Sequence, residues 1–203
     1  STAFQSNPAI QPRAFTVMGC LAREDVDDDL LYQVLVALRS SIGRFMEEND
    51  GEMLIAIVTS LTKMMDKLPS ASRYGMQMFW LALSLVRLVP LILFNCTALF
   101  LDAVLNNIAT SGEFKGGRMV PTLLQGRVPL EDAALQLDEI YGIHFNIENF
   151  HFAVCASLVK GLTDSVTKAT AIRVISTFLE ITTSNSGLET RSPKDLTAFP
   201  YLG

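Results

Sequence analysis

Two histidines, His144 and His151, flank the segment Phe145-Asn146-Ile147-Glu148-Asn149-Phe150 and are the chain's whole supply of imidazole. With Glu148 they offer acids, bases and metal ligands, but no cysteine stands at ligand spacing to them, so packing at a helix start is the stronger reading. The run Asp27-Asp28-Asp29 lacks the Asx-Gly spacing and distant glutamate of a calcium loop. Its better use is to cap a helix and complement the positive end of the helix dipole. Nucleophilic catalysis finds no frame, since Gly-x-Ser-x-Gly does not occur. The glycine-rich stretch from Gly112 to Gly117 lacks the Gly-x-x-x-x-Gly-Lys-Ser/Thr order that cradles phosphates, and it reads as a connector. Met64, Met65, Met76 and Met78 suit helix interfaces better than an adaptable binding groove. No catalytic, cofactor-binding or metal site emerges, and no enzyme is expected.

The elements that carry these residues are helical. Leu31, Val34, Leu35, Leu38, Ile42 and Phe45 recur at spacings of three and four, which places them on one helical face. Asn49-Asp50-Gly51 breaks that pattern, and Leu54, Ile57, Val58, Leu61, Met64, Met65 and Leu68 resume it until Pro69. A second hairpin is expected over Ser70 to Leu88 and Pro90 to Ile108, with Pro90 in the first turn, where its missing N–H is harmless. Shorter helices follow over Met119 to Gly126 and Leu130 to Tyr141. A last hairpin takes Glu148 to Lys160 and Ser165 to Thr183. Pro12 to Ala22 looks like the second helix of a further hairpin. Strand signals are nearly absent.

Hairpins at this period suggest an all-α fold, a HEAT/armadillo-like α-solenoid of stacked helical hairpins spanning 1–183. Residues 184–203, with Asn185, Ser186, Gly187, Pro193 and Pro200, lose the periodicity and read as a loosely packed tail or linker. A helical bundle remains the alternative, although near nine helices exceed a simple four-helix bundle. Trp80, the only tryptophan, is expected to pack between its own helix and the one starting near Pro90.

Composition excludes several partners. The chain has 203 residues, 49% of them hydrophobic, enough for one substantial core, and a formal charge of −5 without a broad basic surface for nucleic acid. Cys20, Cys96 and Cys155 lie far apart among apolar neighbours, as reduced, buried thiols do. The compartment reads as cytosol, which leaves the Asn95-Cys96-Thr97 sequon as chance. Met78 to Phe94 is apolar enough to imitate a membrane span. Arg87 near its middle would oppose insertion by ~2.5–3.5 kcal/mol and Pro90 divides it, so two buried helices are the better reading.

One set of residues carries a family likeness: Gln11-Pro12-Arg13-Ala14-Phe15 with Gly19-Cys20, then Phe79-Trp80, then Gly142-Ile143-His144-Phe145-Asn146 through Asn149-Phe150-His151-Phe152-Ala153 to Lys160-Gly161. In that order, from about Phe4 to Ile181, the chain resembles the neurofibromin family of Ras GTPase-activating proteins, in a fungal form. The resemblance implies the helical-repeat region that follows the GTPase-activating and Sec14–PH modules. An arginine finger would then lie in another domain, and none of Arg13, Arg39, Arg73, Arg87 or Arg118 sits in a matching motif. The implied role is a scaffold that arranges domains and a homodimer, with Ras engaged elsewhere in the parent protein. A rival reading is an autonomous module whose concave helical face holds a peptide or a lipid head group.

Overall fold

The computed structural model describes residues 11–21, 26–70, 72–114 and 117–185. Among them every regular element is helical: α1 (Gln11–Leu21), α2 (Asp28–Glu48), α3 (Glu52–Met65), α4 (Gly75–Leu88), α5 (Leu91–Thr110), α6 (Met119–Arg127), α7 (Glu131–Tyr141), α8 (Phe150–Leu158) and α9 (Ser165–Asn185). Short 3-10 turns occupy Gly112–Phe114, Val128–Leu130 and Val159–Leu162. The all-helical expectation holds. Residues 186–203, most of the expected tail, lie outside the described residues, as do the start of the family likeness at Phe4 and the side chain of Cys20.

The helix boundaries follow local chemistry. Asp27 caps α2, its Oδ1 accepting from the Leu30 amide at 2.7 Å, while Asp28 and Asp29 occupy the first turn. Asn49 closes the helix in the left-handed conformation, φ 56°, which asparagine tolerates better than most residues. Asp28 also accepts from Ser72 Oγ at 2.6 Å and lies 3.5 Å from Arg73 Nε. Ser72 N donates to Pro69 O and Gly75 N to Ser72 O, turn bonds rather than helical ones, so α4 starts at Gly75 rather than Ser70. Pro90 takes the cap position of α5, one residue ahead of the first turn.

Two helices end elsewhere than periodicity suggests. Asn146 and Asn149 each accept the other's backbone N–H at 2.9 Å, a local alternative to helical bonds that delays α8 to Phe150. After Leu158 the chain tightens into the turn Val159–Leu162, and α9 runs on to Asn185.

The hairpins pack in two layers. α1, α3, α5 and α9 lie side by side in that order, α2 covers α3, α4 covers α5, and α8 lies against α4 and α9. The pair α6–α7 interrupts this pattern, with α6 seated on α4. At the centre is α5, predominantly apolar and held by α3, α4 and α9, with Phe94, Phe100, Leu101 and Leu105 fully buried. Met64, Met65 and Met78 join this core, and Met76 packs against it. By length and composition α5 is also the one described helix able to cross a membrane. That differs from the span suggested by sequence, because Pro90 separates α4 from α5. Over half of its apolar window is buried inside the fold.

Close approaches set the helix spacing. Gly19 faces the Ser60 backbone so tightly that an added Cβ would lie 2.8 Å from Ser60 Cα, and Ser60 Oγ donates to Phe15 O beside it. Gly161 leaves no room for a Cβ against the ring of Phe94, which is fully buried and cannot swing away. Gly161→Ala should therefore destabilise the chain by about 1–3 kcal/mol through overpacking. Gly43→Ala, in open space on the exposed side of α2, should instead stabilise it by about 0.5–1 kcal/mol. Urea unfolding of both variants against the parent checks the contrast in sign.

Candidate functional site

Helix α4 ends at Leu88, and its last carbonyls, beyond the reach of the helix's own amides, need other donors. Lys160, from the turn before α9, fills that need. Its Nζ donates to Arg87 O at 2.9 Å and to Val89 O at 2.7 Å. Burial pushes the Lys160 ammonium below its ordinary pKa.

The side chain of Arg87 points the other way, into a buried ion cluster. Its Nη1 lies 3.1 Å from Asp138 Oδ1 on α7, and its Nη2 donates to Leu137 O at 2.9 Å. Arg127, at the end of α6, places Nη2 2.7 Å from Asp138 Oδ2, in an ion pair that misses hydrogen-bond alignment, and the same nitrogen donates to Ala134 O. Side-chain exposure is 4% for Arg87, 1% for Asp138 and 13% for Arg127, so one carboxylate serves two desolvated guanidinium groups.

Aromatic rings take up part of the imbalance. The Arg127 guanidinium lies 4.9 Å from the Trp80 ring centre and 5.0 Å from Phe145, and that of Arg87 lies 4.9 Å from Tyr141. Trp80 is buried, and its Nε1 donates to Leu123 O of α6 at 2.7 Å. Its ring meets Phe145 and Phe150 edge-on. These partners on α6, α8 and the segment before α8 are not part of the expectation that Trp80 packs against the helix after Pro90. An indole needs a hydrogen-bond acceptor when buried, and Leu123 O of α6 supplies it.

Beside the cluster runs an apolar cleft of about 480 Å³, floored by α4 and walled by α2 on one side and by α7 with the end of α6 on the other. Leu35, Leu38, Ile42, Leu81, Ala134 and Leu137 supply much of its apolar lining. Ser84 and Tyr74 bring hydroxyls to the lining, and the arginines beside them stay protonated and act as donors rather than bases. The ion cluster braces α4, α6 and α7 against one another.

The residues weighed in the sequence for chemistry do not converge on it. His144, Glu148 and His151 are exposed, with the His151 ring near Phe150 and Phe178. No group of three His, Cys, Asp or Glu side chains gathers as a ligand set among the described residues. Gly112 to Phe114 forms a 3-10 turn with Phe114 buried, and Gly117 takes φ 75°. Arg13, Arg39, Arg73 and Arg118 are exposed. Cys96 and Cys155 are half-buried rather than buried.

Pattern reading passes over two ionic ties, of which only one carries a sequence signal. Asp138 is buried, but it sits on a short polar helix whose residue pattern gives no sign of that. Asp102 interrupts the apolar run of α5, where a charge must find a partner. It accepts from Arg173 Nη2 at 2.7 Å and from Thr177 Oγ1 at 2.9 Å and so pins α9 to α5. No protein-family model matches the chain.

Burial pushes the Cys96 thiol from its ordinary 9.0 up to about 11, which lowers its thiolate fraction at pH 8 about a hundredfold. Alkylation by iodoacetamide at pH 8, resolved by peptide mass spectrometry, should therefore be about a hundredfold slower at Cys96 in the native chain than in the unfolded chain. Equal rates would contradict the burial of this thiol.

Proposed function

We propose that this chain is a non-catalytic α-solenoid scaffold segment of a neurofibromin-like negative regulator of Ras signalling. It acts in the cytoplasm, where it helps to set that protein's domain arrangement and its homodimer. The observation that carries the reading is the two-layer stacking of hairpins, in which each inner helix meets the next along one row from α1 to α9. Stacked hairpins of this kind bury a continuous core and present a fresh face to the following repeat. The end helices keep such faces: Val17 of α1 is exposed, and so are Ile172 and Leu179 of α9, seven residues apart on one side of the helix.

GTPase activation belongs to a different domain of the parent in this reading. Arg87 is committed to Asp138, and Arg73 pairs with Asp28. Neither is presented as a finger toward a nucleotide.

Two measurements test the scaffold. The purified chain should leave GTP hydrolysis by Ras at its intrinsic rate, and acceleration would overturn the non-catalytic reading. Sedimentation velocity should show association that grows with concentration and weakens about tenfold or more when Ile172→Lys and Leu179→Lys are combined. A strict monomer at high concentration would remove the support for stacking through α9.

A further inference from the structure

The cleft over α4 has an electrostatic character opposite to that of the whole chain. Its lining includes three arginines, Arg39, Arg87 and Arg127, and no carboxylate among the described side chains, whereas the chain carries a formal charge of −5. Asp138 behind the cleft offsets only one of them. Arg39 has no ion partner among the described residues. Arg87 is 5% exposed, and its Nε has no hydrogen-bond partner. Gln77 also lines the cleft, with its Oε1 buried and unpaired. A buried polar atom without a partner is a standing cost that a ligand can relieve. Two positive charges in excess beside apolar walls call for an occupant with an apolar body and an anionic group.

The shape narrows the class. Behind the cleft α3 and α5 pack directly, while in front α2 and α4 part, and the space between α2 and α7 stays open along the floor of α4. An open trough between helices, lined by aliphatic side chains, matches the way an amphipathic helix lies in a groove. We propose that the cleft binds an acidic amphipathic helix from a partner protein, its apolar face on Leu35, Leu38, Leu81 and Leu137 and a carboxylate directed to Arg39 and to the Nε edge of Arg87, the one part of that guanidinium that Asp138 and Leu137 leave unpaired. This inference is independent of the scaffold reading. A chain that fails the stacking test can still bind such a helix, and one that stacks can fail to bind it.

The test uses the full chain and a fluorescent helical peptide with a leucine face that carries a single glutamate, compared with a twin in which that glutamate is glutamine. Fluorescence polarisation should show the glutamate peptide binding about tenfold or more tightly than its twin, as a charge-assisted bond to a desolvated guanidinium requires. Ala134→Trp, which fills the cleft from the α7 wall, should abolish binding. Leu35→Asp, on the half-buried rim of α2, should weaken the glutamate peptide more than its twin. Deleting residues 186–203 should leave the affinity unchanged, and a tenfold rise would make the chain's own tail the occupant and overturn the proposal. Equal binding of the two peptides would overturn it. So would binding that survives Ala134→Trp in a variant with unchanged circular dichroism. Saturable binding of oleate without binding of either peptide would assign the same charge to a lipid and contradict a helical partner.

Discussion

Two guanidinium groups and one carboxylate, almost wholly removed from water, meet where α4, α6 and α7 converge. Desolvating such charges costs several kcal/mol per ion, and only close geometry recovers it. The chain recovers it in three ways: Asp138 faces both arginines, the carbonyls of Ala134 and Leu137 accept further bonds, and Trp80, Tyr141 and Phe145 present ring faces to the guanidinium carbons. Moving any one of these elements would strand a buried charge. The cluster therefore fixes where α6 and α7 sit, and with them one wall of the cleft.

The same residue links the two layers. Arg87 sends its side chain to α7 and its carbonyl to Lys160, so the end of α4 is held from both sides. Beyond it, Gly161 lets the turn before α9 close on the Phe94 ring of α5, and Asp102 fastens α9 at mid-length. The inner row is thus tight, through Gly19, Phe94 and Asp102, while the outer helices α2 and α4 part over it. The tight inner row and the parted outer helices together leave the cleft over α4 open.

Much of the fold was legible in the sequence because helices report themselves through periodicity and capping. The face from Leu31 to Phe45, the cap at Asp27 and the stops at Asn49 and Pro69 each rest on short-range chemistry visible in the residue order. The misses came where a distant or competing bond decided the outcome. Asp28 drew Ser72 and Arg73 out of the expected helix, and the Asn146–Asn149 pair delayed α8. The site was less legible than the fold. Arg87 stood out as a charge in an apolar run, but its partner lies about fifty residues on, on a helix whose sequence shows no burial. Trp80 read correctly as core, yet the acceptor for its N–H belongs to α6, which spacing alone does not bring near.

The central claim is that Asp138 compensates two buried arginines at once, and a double-mutant cycle tests it directly. Equilibrium unfolding of Arg87→Met, Asp138→Leu and the double variant gives each cost and their coupling. Asp138→Leu strands both guanidinium groups, so it should cost about 3–5 kcal/mol, more than Arg87→Met, which leaves the Arg127–Asp138 pair intact. The coupling between the two sites should be about 1–3 kcal/mol. A coupling below about 0.5 kcal/mol, or an Asp138→Leu variant no less stable than Arg87→Met, would show that the cluster does not hold α7 on α4.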